Sequence, residues 1–274
     1  MHSLKKRGHS LAVGRREFLL YYQPIYELGS KEVISVEALL RWNHPIYGLL
    51  NPDAFIAIAE QTMTIVEIGE EVIETACQMA ASLPDHVSIA VNLSAVQFRQ
   101  PERLVATVQC VLSRTGLWPG RLNLEITESL LLADTKLIKT TLNTLQALGV
   151  KLVLDDFGTG YSSLSYIQEF PFSKIKIDKT FTESLCVNAA SPSIIRAITQ
   201  IAKDLSLEII VEGIETKEQE AFIRMLGPTQ GQGFLFCKPL TDLELTARFG
   251  RNEARSGADP SATTPWQMTD VRVV

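Results

Sequence analysis

Residues 150–163 read Val-Lys-Leu-Val-Leu-Asp-Asp-Phe-Gly-Thr-Gly-Tyr-Ser-Ser, and the rest of the chain is organised around them. Val150–Leu154 predicts a short strand buried on both faces, and residues 164–167 predict the first turn of a helix. Side chains alternate along a strand, so two adjacent carboxylates cannot both point inward from a regular one. We therefore expect Asp155 at the last strand position and Asp156 on the turn beyond it. An acidic turn before a flexible glycine-containing linker is the alternative.

The composition is that of an ordinary globular protein with a large core. The chain has 274 residues, of which 46% are hydrophobic and 21% charged, and this length allows one domain or two. A net charge of −5 and a pI near 5.5 argue against a partner such as long nucleic acid, which needs a basic footprint. No apolar run approaches the roughly 18 residues of a membrane span. The basic start of the chain lacks the apolar region of a signal peptide.

The cysteines and histidines limit the metals that the chain could bind. Its four cysteines are far apart and form no Cys-x-x-Cys pair, so neither a zinc site nor a disulfide framework is predicted. A reducing, cytoplasmic compartment is the expected location. With only four histidines, two of them at positions 2 and 9, a histidine-rich site is not expected. A metal here would be hard and bound by oxygen, as Mg²⁺ or Mn²⁺ is.

Strands and helices alternate along most of the sequence, which predicts a parallel sheet with helices packed outside it. The predicted strands are Phe18–Ile25, Val33–Trp42, Val87–Leu93, Leu122–Ile126, Val150–Leu154, Lys174–Ile177, Glu208–Val211 and Gly233–Phe236. The predicted helices are Pro52–Gln61, Ile65–Leu83, Pro101–Thr115, Thr135–Leu148, Ser163–Phe170, Ser193–Leu205, Lys217–Leu226 and Asp242–Phe249. The short joint between the first two strands requires them to pair antiparallel.

Eight strands in this length predict an α/β fold, a modified TIM (β/α)₈ barrel whose first connection is irregular. An open, doubly wound sheet is the alternative. Residues 1–15 are expected to be a basic connector, 16–250 the barrel domain and 251–274 a disordered polar tail.

Polar side chains recur where the predicted strands end, and in a barrel these ends surround one mouth. At or just after strand ends these are Asn92, Glu125, Glu128, Asp155, Asp156, Lys176, Asp178, Glu212 and Glu215, while Glu37 lies within the second strand and Gln232 opens the eighth. Each could cap a helix or form a core ion pair with Lys176. Several carboxylates around one mouth repel one another unless cations are present, and two divalent metals would compensate them. The pattern therefore favours a two-metal hydrolytic site, with Lys176 near the attacking water or a substrate phosphate.

These segments resemble the EAL-domain family of cyclic di-GMP phosphodiesterases over residues 16–249. The tripeptide Glu37-Ala38-Leu39 is the family's namesake. The other motifs follow in the family's order: Tyr22-Gln23-Pro24-Ile25, His44-Pro45, Val91-Asn92-Leu93-Ser94, Leu124-Glu125-Ile126-Thr127-Glu128, residues 155–163, Lys176-Ile177-Asp178, Glu212-Gly213 and Gln232-Gly233.

The resemblance implies a barrel with one antiparallel strand, cleavage of cyclic di-GMP to linear pGpG, and a homodimer. It implies one metal held by Glu37, Asn92, Glu125 and Asp155, and a second held by Asp155, Asp156 and Glu212. It makes Lys176 and Gln232 catalytic together with Asp156 and Glu37, and assigns substrate contacts to Gln23, Leu40, Arg41 and Asp178. Glu128 would anchor the loop after Asp156, and Glu215 is expected to be a second anchor of that loop.

The chain departs from the family pattern at a few positions that carry no metal ligand. Met63-Thr64 stands where Gly-Leu is usual, Val211 stands for Ala, and Phe234 stands for Tyr. Gln230 and Gln232 both precede glycine, and Gln232 is preferred because Gly-Phe-Leu-Phe follows it. The rival functions are a catalytically silent cyclic di-GMP receptor and an unrelated metal-dependent barrel hydrolase. The enzyme is favoured because all the ligands are kept, and an upstream sensory or regulatory domain is a further expectation.

Overall fold

The computed structural model describes residues 17–132, 135–158, 167, 169–185 and 190–251. The predicted connector 1–15, the predicted tail beyond Arg251 and most of the predicted helix Ser163–Phe170 lie outside these residues.

Eight strands form a closed ring. They are β1 (Phe18–Glu27), β2 (Val33–His44), β4 (Ser88–Asn92), β5 (Leu122–Thr127), β6 (Lys151–Phe157), β7 (Lys174–Ile177), β8 (Glu208–Val211) and β9 (Gln230–Gly231). The order is β1-β9-β8-β7-β6-β5-β4-β2, and β1 closes the ring by pairing with β2. Strand β1 is antiparallel to both of its neighbours, whereas the other pairings in the ring are parallel. The predicted barrel with one antiparallel strand is confirmed, and the open sheet is excluded.

A ninth strand, β3 (Gly48–Leu50), lies outside the ring and forms a hairpin with the end of β2. Strand β2 pairs with β4 only from Ser35 to Ala38 before it continues into this hairpin. Glu37 is therefore at the end of the parallel pairing although β2 runs on to His44. This geometry places the Glu37 side chain at the same edge of the barrel as the carboxyl ends of the other strands.

The helices pack around the ring. They are α1 (Ile56–Gln61), α2 (Ile65–Ser82), α3 (Pro101–Thr115), α4 (Thr135–Ala147), α5 (Lys179–Glu183), α6 (Ala190–Asp204), α7 (Lys217–Leu226) and α8 (Asp242–Phe249). In α2 the apolar residues Ile65, Ile68, Val72 and Ala76 recur at helical spacing, and all four are buried against the sheet. The short helix α5 was not predicted, and Pro52–Ala54 forms a separate 3₁₀ turn before α1. Among the described residues, no helix is both long and apolar enough to cross a bilayer.

Two predicted strands are corrected. The eighth strand is Gln230–Gly231, and residues 233–236 form a turn in which the Phe236 amide donates to the Gly233 carbonyl. A side chain at Gly233 would collide with the Ile214 backbone, since its Cβ would lie 2.0 Å from the Ile214 carbonyl oxygen. The chain therefore turns at this point, and Phe234 is left exposed.

The other correction concerns β6, which does not end at Asp155 but continues to Phe157. Its pairing with β7 shifts register between Leu154 and Phe157. Asp156 has a φ of +54°, in the left-handed region that non-glycine residues rarely adopt. An irregularity within β6, rather than the end of the strand, therefore lets the adjacent side chains of Asp155 and Asp156 depart from the alternation of a regular strand.

Candidate active site at the carboxyl end of the barrel

The centre of the site is one buried ammonium group surrounded by carboxylates. Lys176 Nζ lies 2.8 Å from Glu212, 3.0 Å from Glu125, 3.2 Å from Asp155 and 3.3 Å from Glu37. Its side chain is 1% exposed. Strands β2, β5, β6 and β7 and the residue that follows β8 supply these groups, so the barrel brings together residues that are far apart in sequence. The ion pair with Lys176 that the sequence left as an alternative is present.

One ammonium does not balance the acids around it. Burial raises the pKa of Glu125 well above its ordinary value, and Glu37 and Asp155 raise it further against the opposing effect of Lys176. Burial, with the charges of Asp155 and Glu37, likewise raises the pKa of Glu212 to about 7. Burial alone would raise the pKa of Glu37, but Lys176 and two side-chain amides outweigh it and hold that pKa low. The cluster is therefore short of positive charge when no further cation is bound.

The bulge in β6 directs both aspartates to this cluster. One oxygen each of Asp155, Asp156 and Glu212 lies within 4.8 Å of the others, close enough to share a metal ion. The Asp156 amide donates to Asp155 Oδ1 at 3.0 Å. Burial and then the charges of Asp155 and Asp178 raise the pKa of Asp156. The left-handed backbone at Asp156 thus places two like charges side by side, which is costly without a cation.

A chain of amides orients Glu37. Asn92 Nδ2 donates to Glu37 Oε1 at 2.9 Å, and Gln232 Nε2 donates to Glu37 Oε2 at 2.8 Å. Gln232 Nε2 also donates to Gln23 Oε1 at 3.0 Å, and Gln23 Nε2 donates to the Cys237 carbonyl at 3.2 Å. Because the nitrogen of Asn92 is used in this way, its amide oxygen remains available as a metal ligand. Gln230 lies instead at the opposite end of the barrel, where it binds Glu208, so the structure places Gln232 in the site.

The residues present fit a hard divalent cation. The donor set is carboxylate and amide oxygen, which Mg²⁺ and Mn²⁺ prefer. Glu125 Oε1 is buried and has no hydrogen-bond partner in the described part of the chain, and the same holds for Gln232 Oε1. A buried acceptor without a partner is costly, and a bound cation or a water held by one would satisfy it.

The proposed substrate contacts lie around this cluster. Arg41 Nη1 donates to the Leu40 carbonyl at 2.8 Å, and its guanidinium lies 5.7 Å from the centre of the Tyr21 ring. Asp178 caps helix α5 by accepting from the backbone amide and the hydroxyl of Thr180. This cap is the structural role that the sequence left open, and the predicted substrate contact of Asp178 stays a prediction.

The two predicted loop anchors differ in their surroundings. Glu128 is buried, and its Oε2 accepts from the Gly158 amide at 3.5 Å, at the start of the glycine-containing loop. Glu215 is exposed on the segment between β8 and α7. Residues 159–166, the continuation of the predicted loop, lie outside the described residues.

The sequence did not indicate a cavity of about 450 Å³ that adjoins Asn92 and Leu40. Its walls come mainly from α1, α2 and the segment after β4, and they carry the polar side chains of Glu60, Ser94 and Gln97. Ser94 and Gln97 contact each other within the segment after β4, and Glu60 of α1 joins them only in the tertiary structure.

Comparisons with known proteins agree with this geometry. The family model described as the EAL domain matches residues 9–239. The chain is 41% identical over 251 residues to the bifunctional diguanylate cyclase/cyclic di-GMP phosphodiesterase MucR of Pseudomonas aeruginosa, which covers 90% of this chain and 36% of that protein. It is 37% identical over 232 residues to the cyclic di-GMP phosphodiesterase PdeR of Escherichia coli, covering 84% and 35%. The chain thus spans about a third of the length of these curated relatives.

Solved structures show the same barrel. The PaMucR phosphodiesterase in complex with c-di-GMP superposes with a TM-score of 0.82 at 41% identity, covering 86% of this chain and 97% of that one. The EAL enzyme Bd1971, in a form bound to cAMP and cyclic di-GMP, superposes with a TM-score of 0.83 at 31% identity, covering 87% and 66%.

Proposed function

This chain belongs to the EAL domain family, and from that membership we propose that it is a metal-dependent phosphodiesterase that hydrolyses one phosphodiester bond of cyclic di-GMP to give linear 5'-pGpG. The relatives named as cyclic di-GMP phosphodiesterases and the related structures that contain cyclic di-GMP support this substrate.

The observation that carries the proposal is the excess of acidic groups around Lys176. Four carboxylates contact its ammonium, and Asp156 lies beside two of them. An ion pair that only stabilises a fold needs one acid for each base, and additional buried carboxylates without a cation lower the stability of the folded state. Sites that bind metal for catalysis accept this cost.

The proposed metal ligands are Glu37, Asn92, Glu125, Asp155, Asp156 and Glu212, with Asp155 shared between two ions. When bound, the two cations would supply a water of lowered pKa and neutralise the charge that develops on the phosphoryl group.

The protein's own groups would orient the reactants. Lys176 has three N–H donors and a pKa raised well above its ordinary value, since its acidic neighbours outweigh the effect of burial, so it stays protonated and holds an anionic oxygen rather than taking up a proton. Gln232 is fixed by Gln23 and Glu37, which leaves its Oε1 to accept a hydrogen bond from the attacking water. Arg41 presents a guanidinium suited to a phosphate of the substrate.

The test is incubation of the purified protein with cyclic di-GMP and Mg²⁺ or Mn²⁺, with the products separated by chromatography. We expect pGpG to accumulate, EDTA to stop the reaction, and the matched variant Asp155→Asn to be inactive while its thermal unfolding stays cooperative. Tight binding of cyclic di-GMP without turnover under all these conditions would refute the enzyme and support a silent receptor. Turnover that persists in excess EDTA would refute the metal site.

The remaining expectations are also proposals. We propose that residues 16–250 are the catalytic unit, that it functions as a homodimer, and that a sensory or regulatory domain controls it, since its curated relatives are about three times longer. We propose a cytoplasmic location, where the free thiols of Cys77, Cys110 and Cys237 would stay reduced.

A further inference from the structure

A second polar cluster lies at the amino end of the barrel, opposite the acidic cluster. Residues two positions apart on a strand point to the same face, so Lys174 points into the ring as Lys176 does. Gln230 stands two positions before Gln232, and Glu208 is the first residue of β8. Lys174 and Gln230 are 5% and 8% exposed. The fold therefore buries these two polar side chains at the end of the barrel that the proposed metal site does not use.

One oxygen of Glu208 joins the other two side chains. Gln230 Nε2 donates to Glu208 Oε2 at 2.8 Å, and Lys174 Nζ lies 2.8 Å from the same oxygen. Burial alone would raise the pKa of Glu208, but Lys174 and Gln230 outweigh it and hold that pKa low. The carboxylate is therefore ionised and can only accept, so its contact identifies the nitrogen of the Gln230 amide and hence also the oxygen.

The amide oxygen of Gln230 is left unpaired by this arrangement. It is buried and has no hydrogen-bond partner among the described residues. Gln230 and Lys174 both line a cavity of about 320 Å³, which is within the range of small-molecule pockets, about 300–1,000 Å³. A buried acceptor without a partner is costly. Its position on a cavity wall indicates a donor that enters through the cavity.

The neighbours of this oxygen limit the chemical group that can bind it. Lys174 and Gln230 lie side by side, because both bind Glu208 Oε2, and Glu208 is the only ion-pair partner of Lys174 in the described part of the chain. A ligand group between them would accept from the Lys174 ammonium and donate to the Gln230 oxygen. A phosphate or carboxylate oxygen only accepts, and an ammonium only donates and is repelled by Lys174. A hydroxyl group does both.

The rest of the wall has no net charge and carries a large apolar surface. Its acidic and basic side chains are equal in number, with Glu27, Asp85 and Glu208 against Arg121, Lys151 and Lys174. Trp118 also lines the cavity and is 63% exposed. Its indole lies over Gly120, where an added Cβ would be 2.5 Å from the ring. An aromatic surface beside hydrogen-bonding groups suits the C–H face of a neutral sugar or polyol.

We propose that the cavity at the amino end of the barrel binds a neutral polyhydroxylated molecule, a sugar or a polyol. One of its hydroxyl groups accepts from Lys174 and donates to Gln230 Oε1, and its C–H face packs on Trp118. This site shares no residue with the proposed metal site or its substrate contacts. The inference therefore stands independently of the proposed function.

The test measures binding of glucose, ribose and glycerol to the purified protein by calorimetry and ligand-observed NMR. Glucose 6-phosphate is the anionic comparison. Sugars raise the thermal stability of proteins in general because they are excluded from the surface, so thermal shifts are not used as the measure of binding. The variants are Gln230→Met, which keeps the length of the side chain without its polar atoms, and Trp118→Ala. The matched controls are the exposed residues Gln200 and Tyr47, as Gln200→Met and Tyr47→Ala.

We expect saturable binding of at least one neutral probe to the wild type, with a Kd of about 1 mM. Gln230→Met should bind that probe about tenfold more weakly, the loss typical of one hydrogen bond. Trp118→Ala should weaken binding as well, and because Trp118 is exposed this variant tests the site even where Gln230→Met fails to fold. Both control variants should bind as the wild type does. Comparison of glucose and ribose with glycerol separates a ring from an open chain as the preferred ligand.

Three results would overturn the inference. One is the absence of saturable binding of every probe, which would mean that water alone satisfies Gln230 Oε1. Another is binding that Gln230→Met and Trp118→Ala leave unchanged, which would place the probe elsewhere on the protein. The third is binding of glucose 6-phosphate alone, which would make the cavity an anion site.

Discussion

Glu212→Gln is expected to stabilise the metal-free protein while destroying its metal site. Glu212 is buried beside Asp155 and Glu37, and its pKa is raised from 4.5 to about 7 even with Lys176 at 2.8 Å. The variant replaces the carboxylate with a neutral group of the same shape. It therefore removes a charge that the fold does not accommodate well without a bound cation.

The size and sign of the effect follow from the two pKa values. Below pH 4.5 the carboxyl group is protonated in both the folded and the unfolded chain, so it makes no difference to stability. As the pH rises from 4.5 to about 7, the unfolded chain loses the proton and the folded chain keeps it, so the folded state loses stability. At about 1.36 kcal/mol for each pH unit, a pKa raised from 4.5 to about 7 costs about 3 kcal/mol above pH 7.

The assay is urea unfolding in EDTA from pH 4.5 to pH 8. We expect Glu212→Gln to match the wild type at pH 4.5 and to exceed it by about 3 kcal/mol at pH 8. We expect Mn²⁺ to raise the stability of the wild type much more than that of the variant, because binding to the folded state alone stabilises it. The exposed residue Glu32 supplies the control variant Glu32→Gln, which should show neither effect. A Glu212→Gln protein that is less stable than the wild type at pH 8 in EDTA would show that the ion pair with Lys176 dominates.

Three further variants test other parts of the site. Lys176→Met leaves the buried carboxylates without their base, so it should lower the free energy of unfolding in EDTA by about 3–5 kcal/mol at pH 8 and by less at pH 5. Addition of Mn²⁺ should restore the stability of this variant but not its turnover. Equal losses of stability at both pH values would contradict this account. Gly158→Ala should lower the free energy of unfolding, measured by chemical denaturation, by about 1–3 kcal/mol. The reason is that Gly158 has a φ of +96° and that an added Cβ would lie 2.9 Å from the Phe181 ring. An unchanged denaturant midpoint would count against a strained backbone at this residue. Arg41→Ala should lower kcat/KM for cyclic di-GMP about ten- to a hundredfold, mainly through KM, and a fall confined to kcat would place Arg41 elsewhere in the reaction.

Much of the barrel was predictable because periodicity and short connections are local properties. The strand Lys174–Ile177 and the helices Pro101–Thr115, Lys217–Leu226 and Asp242–Phe249 have the predicted bounds. The antiparallel pairing of β1 and β2 followed from a short turn alone. The eighth strand was misplaced because residues 233–236 are apolar enough for a strand, whereas the close approach of Gly233 to the Ile214 backbone makes them a turn.

The candidate site likewise has features that could be predicted from the sequence and features that could not. Which side chains gather at the mouth could be predicted from the order of the strands, because parallel strands bring their carboxyl ends to one edge. The sequence also showed that Asp155 and Asp156 cannot both point inward from a regular strand, but it placed Asp156 on a turn beyond the strand, whereas β6 continues to Phe157 with an irregularity inside it.

How these groups contact one another depends on the closed barrel and could not be predicted from the sequence. The tertiary structure placed Lys176 among four carboxylates, joined Gln232 to Glu37 across 195 residues of sequence, and put Gln230 at the other end of the barrel. It also brought Glu60 and Gln97 together around Ser94. The physical reason is that burial, hydrogen bonding and charge balance depend on distances between strands and helices, and closure of the ring sets those distances.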